Sequence, residues 1–360
     1  MSIRISLAMI VKNEEQLLGR ALACVRSFVD EIVIVDTGST DRTIEIARSF
    51  GARVYTMPWP GHFAVARNAA FDHATGDWTM WLDADDVLSE SSQQAILRLK
   101  RDGIPDGIDV IEATYESYYD AMGRCIAAMR RERLIRRGTP GLRWQNPLHE
   151  CIPHRPEQTL FVPDLIIEHR EDPAKRAGKT GRYKALLESY IDRPADFPMA
   201  SFYYANELFN ERDLPRALEH YERFLAQGVE PSVTYETLVQ IATCRRELGL
   251  HEEALRAAEQ AYAVDPTRAE AFVRRAFYHF DRSEWAAALP LFEAASALPR
   301  PDLGYAQDRD HTWLPLDYAS ICHFHLGDPL RAAECSLRAL AFGTEVERIK
   351  GNLRTFIEKL

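Results

Sequence analysis

Paired cysteines, long uncharged runs and an excess of positive charge are all missing from this 360-residue sequence. Its six cysteines are scattered without a Cys-x-x-Cys spacing, which predicts reduced thiols and neither a disulfide framework nor a zinc site. No uncharged stretch reaches the ~18 residues that cross a bilayer. The apolar residues 1–11 are followed by a charged turn at 12–15 and lack the cleavage region of a signal peptide. We therefore expect a cytoplasmic protein, with peripheral association at the inner face of the membrane left open.

Basic side chains are outnumbered, with 44 Lys and Arg against 54 Asp and Glu and a formal net charge of −10. This balance argues against nucleic acid as the main partner. The hydrophobic fraction of 46% is that of a globular protein, and a chain of this length is expected to form two domains. A change to Ala-, Leu-, Glu- and Arg-rich sequence near residue 198 divides the chain into predicted domains 1–197 and 198–360.

The first half alternates predicted strands and helices. The strands are expected at 3–11, 31–35, 52–55, 78–82, 110–119 and 160–168, and the helices at 16–28, 43–50, 63–74 and 89–100. Such alternation with short turns predicts an α/β domain with a mostly parallel sheet and right-handed crossovers. The basic segment 130–137 is predicted as an edge strand, whose arginines either face a negatively charged ligand or protect the edge from pairing.

Three carboxylates, Asp83, Asp85 and Asp86, follow the apolar strand 78–82. They repel one another unless a cation or its ligand lies between them. Asp36 also stands just past the end of a predicted strand, at the sheet edge where ligands bind in α/β folds. These positions predict a site for a divalent metal and a nucleotide phosphate. Arg67, on the predicted helix 63–74, either pairs with a diphosphate or is a surface arginine.

The residues of this half resemble the successive motifs of glycosyltransferase family 2 in order and spacing. The matching segments are 6–15 (SLAMIVKNEE), 35–41 (VDTGSTD), 66–68 (ARN) and 82–86 (LDADD). The sequence is most similar to the lipopolysaccharide-core β-glucosyltransferase-like subgroup, whose later His-Glu motif His149-Glu150 resembles. The resemblance covers residues 3–170. It implies a GT-A fold (Rossmann-like), inversion at the anomeric carbon and a nucleotide-diphosphate sugar donor, with UDP-glucose or a similar UDP-hexose as the first candidate.

The resemblance also implies roles for the acidic residues. Asp36 would contact the nucleobase, Asp83 the ribose and Asp85 a Mn²⁺ or Mg²⁺ ion, while His169 matches a third metal ligand of some relatives. Hard oxygen ligands suit these cations. The alternatives are a helix-capping role for the acids before Ser89 and a structural role for His169. The remaining candidates for donor binding are Lys12, Glu14 and Arg67.

Inverting transfer needs a general base that takes the acceptor's proton. Glu150 lies in a turn after the donor motifs, where an acceptor could reach it, and it resembles the glutamate of the later family motif. We favour Glu150 as the base over Asp86. The alternatives are a surface carboxylate at Glu150 and a hydrogen-bonded structural histidine at His149. The segment 117–126 matches no motif and is expected to help determine the acceptor. The basic connector 172–198 is expected to be either a solvated helix or a contact to donor phosphates.

The second half contains internal repeats. Four similar segments carry alanines at 217, 254, 288 and 332, at spacings of 37, 34 and 44 residues. The tetratricopeptide period is ~34 residues, so 198–360 resembles three to four degenerate tetratricopeptide repeats. Pro290 and the insert 302–315 depart from the repeat. We expect this domain to act as a scaffold, to self-associate or to bind a protein partner.

The sequence as a whole predicts a metal-dependent inverting glycosyltransferase with a helical-repeat domain. Its acceptor would be a glycan, a lipid-linked glycan or a protein. The alternative is a non-enzymatic nucleotide-sugar-binding or protein-interaction scaffold, and the joint presence of Asp36, Arg67, Asp83 and Asp85 argues against it. A nucleotidyltransferase would need a glycine-rich loop after the first strand, where the charged turn 12–15 stands instead.

Overall fold

The computed structural model describes residues 3–119, 123, 125–170, 179–299 and 308–360. The chain divides into two compact units, Met1–Phe197 and Pro198–Leu360. Parts of three predicted segments lie outside the described residues: 120–122 and 124 of the acceptor segment, 172–178 of the basic connector and 302–307 of the repeat insert. Within the described ranges, no helix is both long and apolar enough to cross a bilayer.

The first unit contains an eight-stranded sheet with helices between its strands. The predicted strands and helices are present with slightly shifted ends, and one short strand, β5, was not predicted. In chain order the elements are β1 (Ile5–Val11), α1 (Leu18–Val25), β2 (Glu31–Asp36), α2 (Thr43–Ser49), β3 (Arg53–Thr56), α3 (Phe63–His73), β4 (Trp78–Trp81), β5 (Asp86–Leu88), α4 (Glu90–Asp102), β6 (Val110–Tyr119), β7 (Cys125–Arg136), β8 (Thr159–His169) and α5 (Lys179–Glu188).

The strands lie in the order β3-β2-β1-β4-β7-β6-β8-β5. The first four are mutually parallel and are connected through α1, α2 and α3, as the alternation of strands and helices predicts. Strand β7 then runs antiparallel to both β4 and β6, β8 is parallel to β6, and β5 is antiparallel to β8. The predicted α/β fold is confirmed, and its sheet is mixed beyond β4.

The position predicted for the basic segment 130–137 is wrong. It belongs to β7, which lies inside the sheet between β4 and β6 and not at an edge. Its arginines therefore have no edge to protect. Arg133 is fully buried, with its guanidinium 3.6 Å from the centre of the Trp81 ring and within 3.3 Å of Asp86. An aromatic face and a carboxylate together make the burial of this charge tolerable.

The core of the first unit lies on both faces of the parallel strands. Alternate residues of β1, such as Leu7 and Met9, belong to the cluster that includes α1 and α4, while Ala8 belongs to the cluster with α3. Strands covered on both faces are continuously apolar, as β1 and β2 are. Because both faces are occupied, the free ends of the strands and their loops are the part of the sheet that is available to a ligand.

The second unit is helical throughout its named elements. Its α-helices are α6 (Ala200–Asn210), α7 (Leu214–Leu225), α8 (Pro231–Glu247), α9 (His251–Val264), α10 (Ala269–Asp281), α11 (Trp285–Ala297), α12 (Trp313–His325), α13 (Pro329–Leu340) and α14 (Val346–Ile357). Consecutive helices pack against each other. The four repeat alanines fall on alternate helices, α7, α9, α11 and α13, and all are buried, which is consistent with stacked helix pairs. Pro290 lies inside α11.

Candidate functional site

A cavity of about 720 Å³ lies in the first unit at the ends of the parallel strands. The end of β1 and the loop after β4 line this cavity. The two strands are neighbours in the sheet, and Ala8 of β1 pairs with Trp81 of β4. Most of the residues predicted from the sequence for the site line this cavity: Lys12, Glu14, Arg67, Asp83, Asp85, His149, Glu150 and His169. Asp36 and Asp86 are instead buried, with 2% and 0% of their surfaces exposed.

Asp36 is held by the loop that follows β2. Its Oδ2 accepts hydrogen bonds from the backbone N–H groups of Gly38 and Ser39, at 3.0 and 2.9 Å. The side chain of Asn13 accepts from the N–H of Thr40 at 2.8 Å, so the turns after β1 and β2 are tied together. The other oxygen of Asp36, Oδ1, is buried without a hydrogen-bond partner among the described residues. A buried acceptor of this kind is a position that a ligand's N–H or O–H can satisfy.

Arg67 connects two carboxylates that line the cavity. Its Nε donates to Oε1 of Glu150 at 2.6 Å, and its Nη2 donates to Oδ1 of Asp83 at 2.8 Å. The guanidinium lies 4.8 Å from the centre of the Trp81 ring and 5.0 Å from that of Trp144. Arg67 is only 6% exposed, so the alternative of a surface arginine is excluded. Burial alone would raise the pKa of Asp83, but the charge and hydrogen bond of Arg67, together with the charges of Arg133 and His169, hold that pKa below its usual range.

The loop that carries Glu150 is attached to helix α3. Asn68 donates to the backbone oxygen of Trp144 at 2.9 Å and accepts from the N–H of the same residue at 3.0 Å. The N–H of Phe63 donates to the oxygen of Pro147 at 2.9 Å. Consecutive residues of one motif therefore act differently, since Arg67 contacts the carboxylates while Asn68 holds the backbone of the loop. The sequence did not assign this role to Asn68.

Asp85, Asp86 and His169 form a cluster whose possible ligand atoms lie within 4.8 Å of one another. Antiparallel pairing of β5 with β8 places His169 opposite Asp86, and Nδ1 of His169 lies 3.2 Å from Oδ1 of Asp86 and 3.5 Å from Oδ1 of Asp85. Burial lowers the pKa of His169, but the hydrogen bond to Asp86 and the negative charges of Asp85, Asp86 and Asp83 together shift it upward. Carboxylate oxygens and an imidazole are donors that suit a divalent cation such as Mn²⁺.

Several residues around the cavity were not predicted from the sequence. Arg131 of β7 donates to the backbone oxygen of Glu150 at 3.2 Å, and its guanidinium lies 5.3 Å from the centre of the Trp81 ring. Tyr115 of β6 also lines the cavity. No local signal separates Arg131 from the other arginines of 130–137, because the register of β7 against β6 shifts between Leu134 and Glu132 and strict alternation does not hold there. The lining also includes the aromatic side chains of Trp59, Phe63 and Tyr183.

Part of the first unit is similar to a known family of glycosyltransferases. Residues 6–152 match the family model of glycosyl transferase family 2. This segment runs from β1 to the loop that carries Glu150, and it includes Asp36, Arg67 and the carboxylates that follow β4.

Similar proteins include one that is named for its repeats and others that are named as glycosyltransferases. A TPR repeat-containing protein of Synechococcus elongatus is 34% identical over 260 residues, which cover 68% of this chain and 62% of that one. An uncharacterized glycosyltransferase of Rickettsia typhi is 32% identical over 149 residues, 41% of this chain and 45% of that one. The SPbeta prophage-derived glycosyltransferase SunS of Bacillus subtilis is 25% identical over 235 residues, 61% of this chain and 54% of that one. The chain thus covers less than two thirds of the length of each of these relatives.

Proposed function

We propose that the protein is an inverting, metal-assisted glycosyltransferase that moves a hexose from a nucleotide-diphosphate donor to an acceptor glycan, lipid-linked glycan or protein. UDP-glucose is the first candidate donor. The observation that carries this proposal is the position of Arg67, which joins Asp83, the proposed ribose contact, to Glu150, the proposed base, in one cavity. Donor-binding and proton-accepting groups are thereby held in the same site.

The donor is proposed to lie along the ends of β1, β2 and β4. The unpartnered Oδ1 of Asp36 would accept from the nucleobase, and Asp83 would accept from the ribose. Lys12, which lines the cavity, is a cation available to the diphosphate, and Glu14 lies next to it in the lining. The cavity volume of about 720 Å³ falls within the ~300–1,000 Å³ that is usual for ligand sites.

Asp85 and His169 are the residues that would hold a Mn²⁺ or Mg²⁺ ion. Such an ion, when bound, neutralises the negative charge that develops on the departing diphosphate. The donor set of the cluster fits this group, because it combines a carboxylate that lines the cavity with an imidazole on the facing strand.

Glu150 is proposed as the general base. The acceptor oxygen would bond to the anomeric carbon as the bond from that carbon to the diphosphate breaks, and the acceptor's proton would pass to the carboxylate of Glu150. The hydrogen bond from Arg67 fixes Oε1 and thereby orients the carboxylate. Asp86 is less suited to this role because it is fully buried and both of its oxygens accept hydrogen bonds within the protein. The burial and hydrogen bonds of Asp86 thus support the proposal of Glu150 as the base.

Calorimetric titration with UDP- and GDP-sugars, with and without Mn²⁺, tests the donor site. We expect one UDP-sugar to bind more tightly with Mn²⁺, and the Asp85→Ala variant to lose this metal dependence. Binding by Asp85→Ala as tight as that of the wild-type protein, or no metal-dependent nucleotide binding at all, would contradict the proposal. Hydrolysis of UDP-glucose without acceptor separates an active enzyme from a non-enzymatic scaffold.

Substitution of Glu150 by glutamine tests the base. General base catalysis contributes roughly 10²–10⁴-fold, so Glu150→Gln is expected to lower kcat by that factor while donor binding is retained. Glu157→Gln is the matched control, because Glu157 is an exposed glutamate of the same unit. Equal rates for the Glu150→Gln and Glu157→Gln variants would exclude Glu150 as the base.

The helical second unit is proposed to bind a protein partner or a second copy of the chain. Stacked helix pairs present extended surfaces of the kind that repeat proteins use for binding. A non-enzymatic scaffold would use this same unit to bind its partner. The Asp85→Ala experiment does not test this role of the second unit.

A further inference from the structure

Asp86 occupies the centre of a buried hydrogen-bond network. Its Oδ1 accepts from the hydroxyl of Tyr115 at 3.2 Å and lies 3.2 Å from Nδ1 of His169. Its Oδ2 accepts from the backbone N–H of Asp83 at 3.1 Å and from Nη1 of Arg133 at 3.3 Å. A carboxylate has about four acceptor positions, so this network uses all of them. The carboxylate of Asp86 therefore has no free position left to bind a cation or to take a proton from the acceptor substrate.

We propose that Asp86 is a positioning residue that fixes the ring of His169 in one tautomer, with the proton on Nδ1 and the lone pair on Nε2. This inference rests on the proposed metal-assisted activity. An ionised carboxylate can only accept hydrogen bonds, so the facing nitrogen of His169 must donate. The remaining nitrogen then carries the lone pair that a metal ligand needs. Histidines that bind metals in proteins commonly donate their other N–H to a carboxylate in this way.

Asp86 also sets the shape of the turn that leads to Asp85. The N–H of Asp86 donates to the backbone oxygen of Asp83 at 3.1 Å, and the side chain of Asp86 accepts from the N–H of Asp83 in return. The backbone N–H of Arg170 donates to the backbone oxygen of Asp85 at 2.8 Å. One buried carboxylate thus fixes both the turn and the histidine that face each other in the cluster.

Arg133 supplies the charge that makes a fully buried carboxylate tolerable. Its guanidinium lies between the rings of Trp81 and Tyr115, 3.6 and 4.6 Å from their centres. Its Nη1 also donates to the backbone oxygen of Trp81 at 3.3 Å. An unpaired buried charge is costly, and a buried pair with additional hydrogen bonds is less so. Arg133 is therefore a second member of the same positioning network, on β7.

Nitrogen-15 NMR of the wild-type protein without metal tests the tautomer directly. The histidines would be labelled with ¹⁵N and the His169 signals assigned by comparison with the His169→Gln variant, above the pKa of the ring. We expect the proton of His169 on Nδ1. A proton found mainly on Nε2 would overturn the inference. This measurement needs no folded Asp86 variant and does not depend on enzymatic activity.

Titration of Mn²⁺ followed by electron paramagnetic resonance, in the presence of UDP, tests the consequence for metal binding. Loss of a partner that orients a metal ligand typically weakens metal affinity about 10- to 100-fold, and we expect this range for Asp86→Asn. Asp164→Asn is the matched control, since Asp164 is an exposed residue paired with Arg98 on the surface. Equal Mn²⁺ affinity in the two variants would overturn the inference. Failure of the wild-type protein to bind Mn²⁺ would instead contradict the proposed function, and the tautomer would still be decided by NMR.

Discussion

Replacing Arg67 by alanine would leave the carboxylates of Asp83 and Glu150 without the guanidinium that both of them now contact. Each hydrogen bond to a charged group contributes about 1.5–3 kcal/mol, so the two bonds together are worth about 3–6 kcal/mol. The side chain of Asp83 is 33% exposed and that of Glu150 is 11% exposed, so water can partly replace the lost donor at Asp83. Removing one partner of a buried ion pair commonly costs about 3–5 kcal/mol. We expect Arg67→Ala to lower the free energy of unfolding of the first unit by about that amount.

Urea unfolding followed by tryptophan fluorescence measures this loss, because Trp81 and Trp144 flank the guanidinium. Arg143→Ala is the matched control. Arg143 pairs with Asp72 on the surface, where the two side chains are 48% and 58% exposed, and such pairs contribute about 1 kcal/mol or less. Arg67→Lys should fall between the two, since one ammonium cannot bridge both carboxylates as the planar guanidinium does. A loss for Arg67→Ala no larger than that for Arg143→Ala would refute the reasoning.

Three further substitutions test other parts of the structure. Asn68→Ala removes two hydrogen bonds to the backbone of Trp144 and should cost about 1–3 kcal/mol in urea unfolding, while slowing transfer more than it weakens donor binding in steady-state kinetics. Gly76→Ala would place a Cβ 2.8 Å from a backbone nitrogen of β1, so we expect a loss of about 1–3 kcal/mol and a lower Tm. Burial raises the pKa of Glu236 to about 7 against the opposing charge of Arg268. The folded state thus holds this proton more tightly than the unfolded chain, and stability falls as pH rises from the ordinary glutamate value, about 4.3, to about 7. The change in Tm caused by Glu236→Gln should therefore be more positive at about pH 8 than at about pH 5. An equal change at both pH values would contradict the raised pKa.

The carboxylates at the strand ends were predictable because their signal is local. Asp36 and Asp83 each follow an apolar strand, and parallel strands bring such positions to one edge of the sheet. The proximity of Arg67 to Asp83 could also be predicted, because both belong to motifs in the part of the sheet whose strands are parallel. These features depend on strand order along the chain, which the alternation of strands and helices indicates.

The burial of Arg133 could not be predicted in the same way. Strand β7 lies between β4 and β6 through antiparallel pairs, and those with β4 join residues more than fifty positions apart, such as Thr79 with Ile135. Within one segment, five basic side chains surround an apolar pair, and the local pattern does not distinguish an interior strand from an edge strand. Whether a strand lies inside the sheet or at its edge depends on which strands pair with it, and tertiary structure determines that pairing.

The different environments of Asp85 and Asp86 could not be predicted for a similar reason. In the sequence both are members of one acidic run, and repulsion applies to them equally. In the structure β5 begins at Asp86 and pairs with the end of β8, which turns that side chain into the interior while Asp85 lines the cavity. The pairing partner, His169, lies 83 residues further along the chain.

The sheet order also bears on how the first unit can be divided into fragments. The family match ends at residue 152, before β8 begins at Thr159. A fragment cut at that boundary would contain Asp36, Arg67, the acidic run and Glu150. It would lack the strand that β5 and β6 both pair with, which would expose one open edge on β6 and leave β5 without its partner in the sheet. Such a fragment would keep almost every motif residue and still be prone to aggregation, so the unit of folding extends beyond the family match.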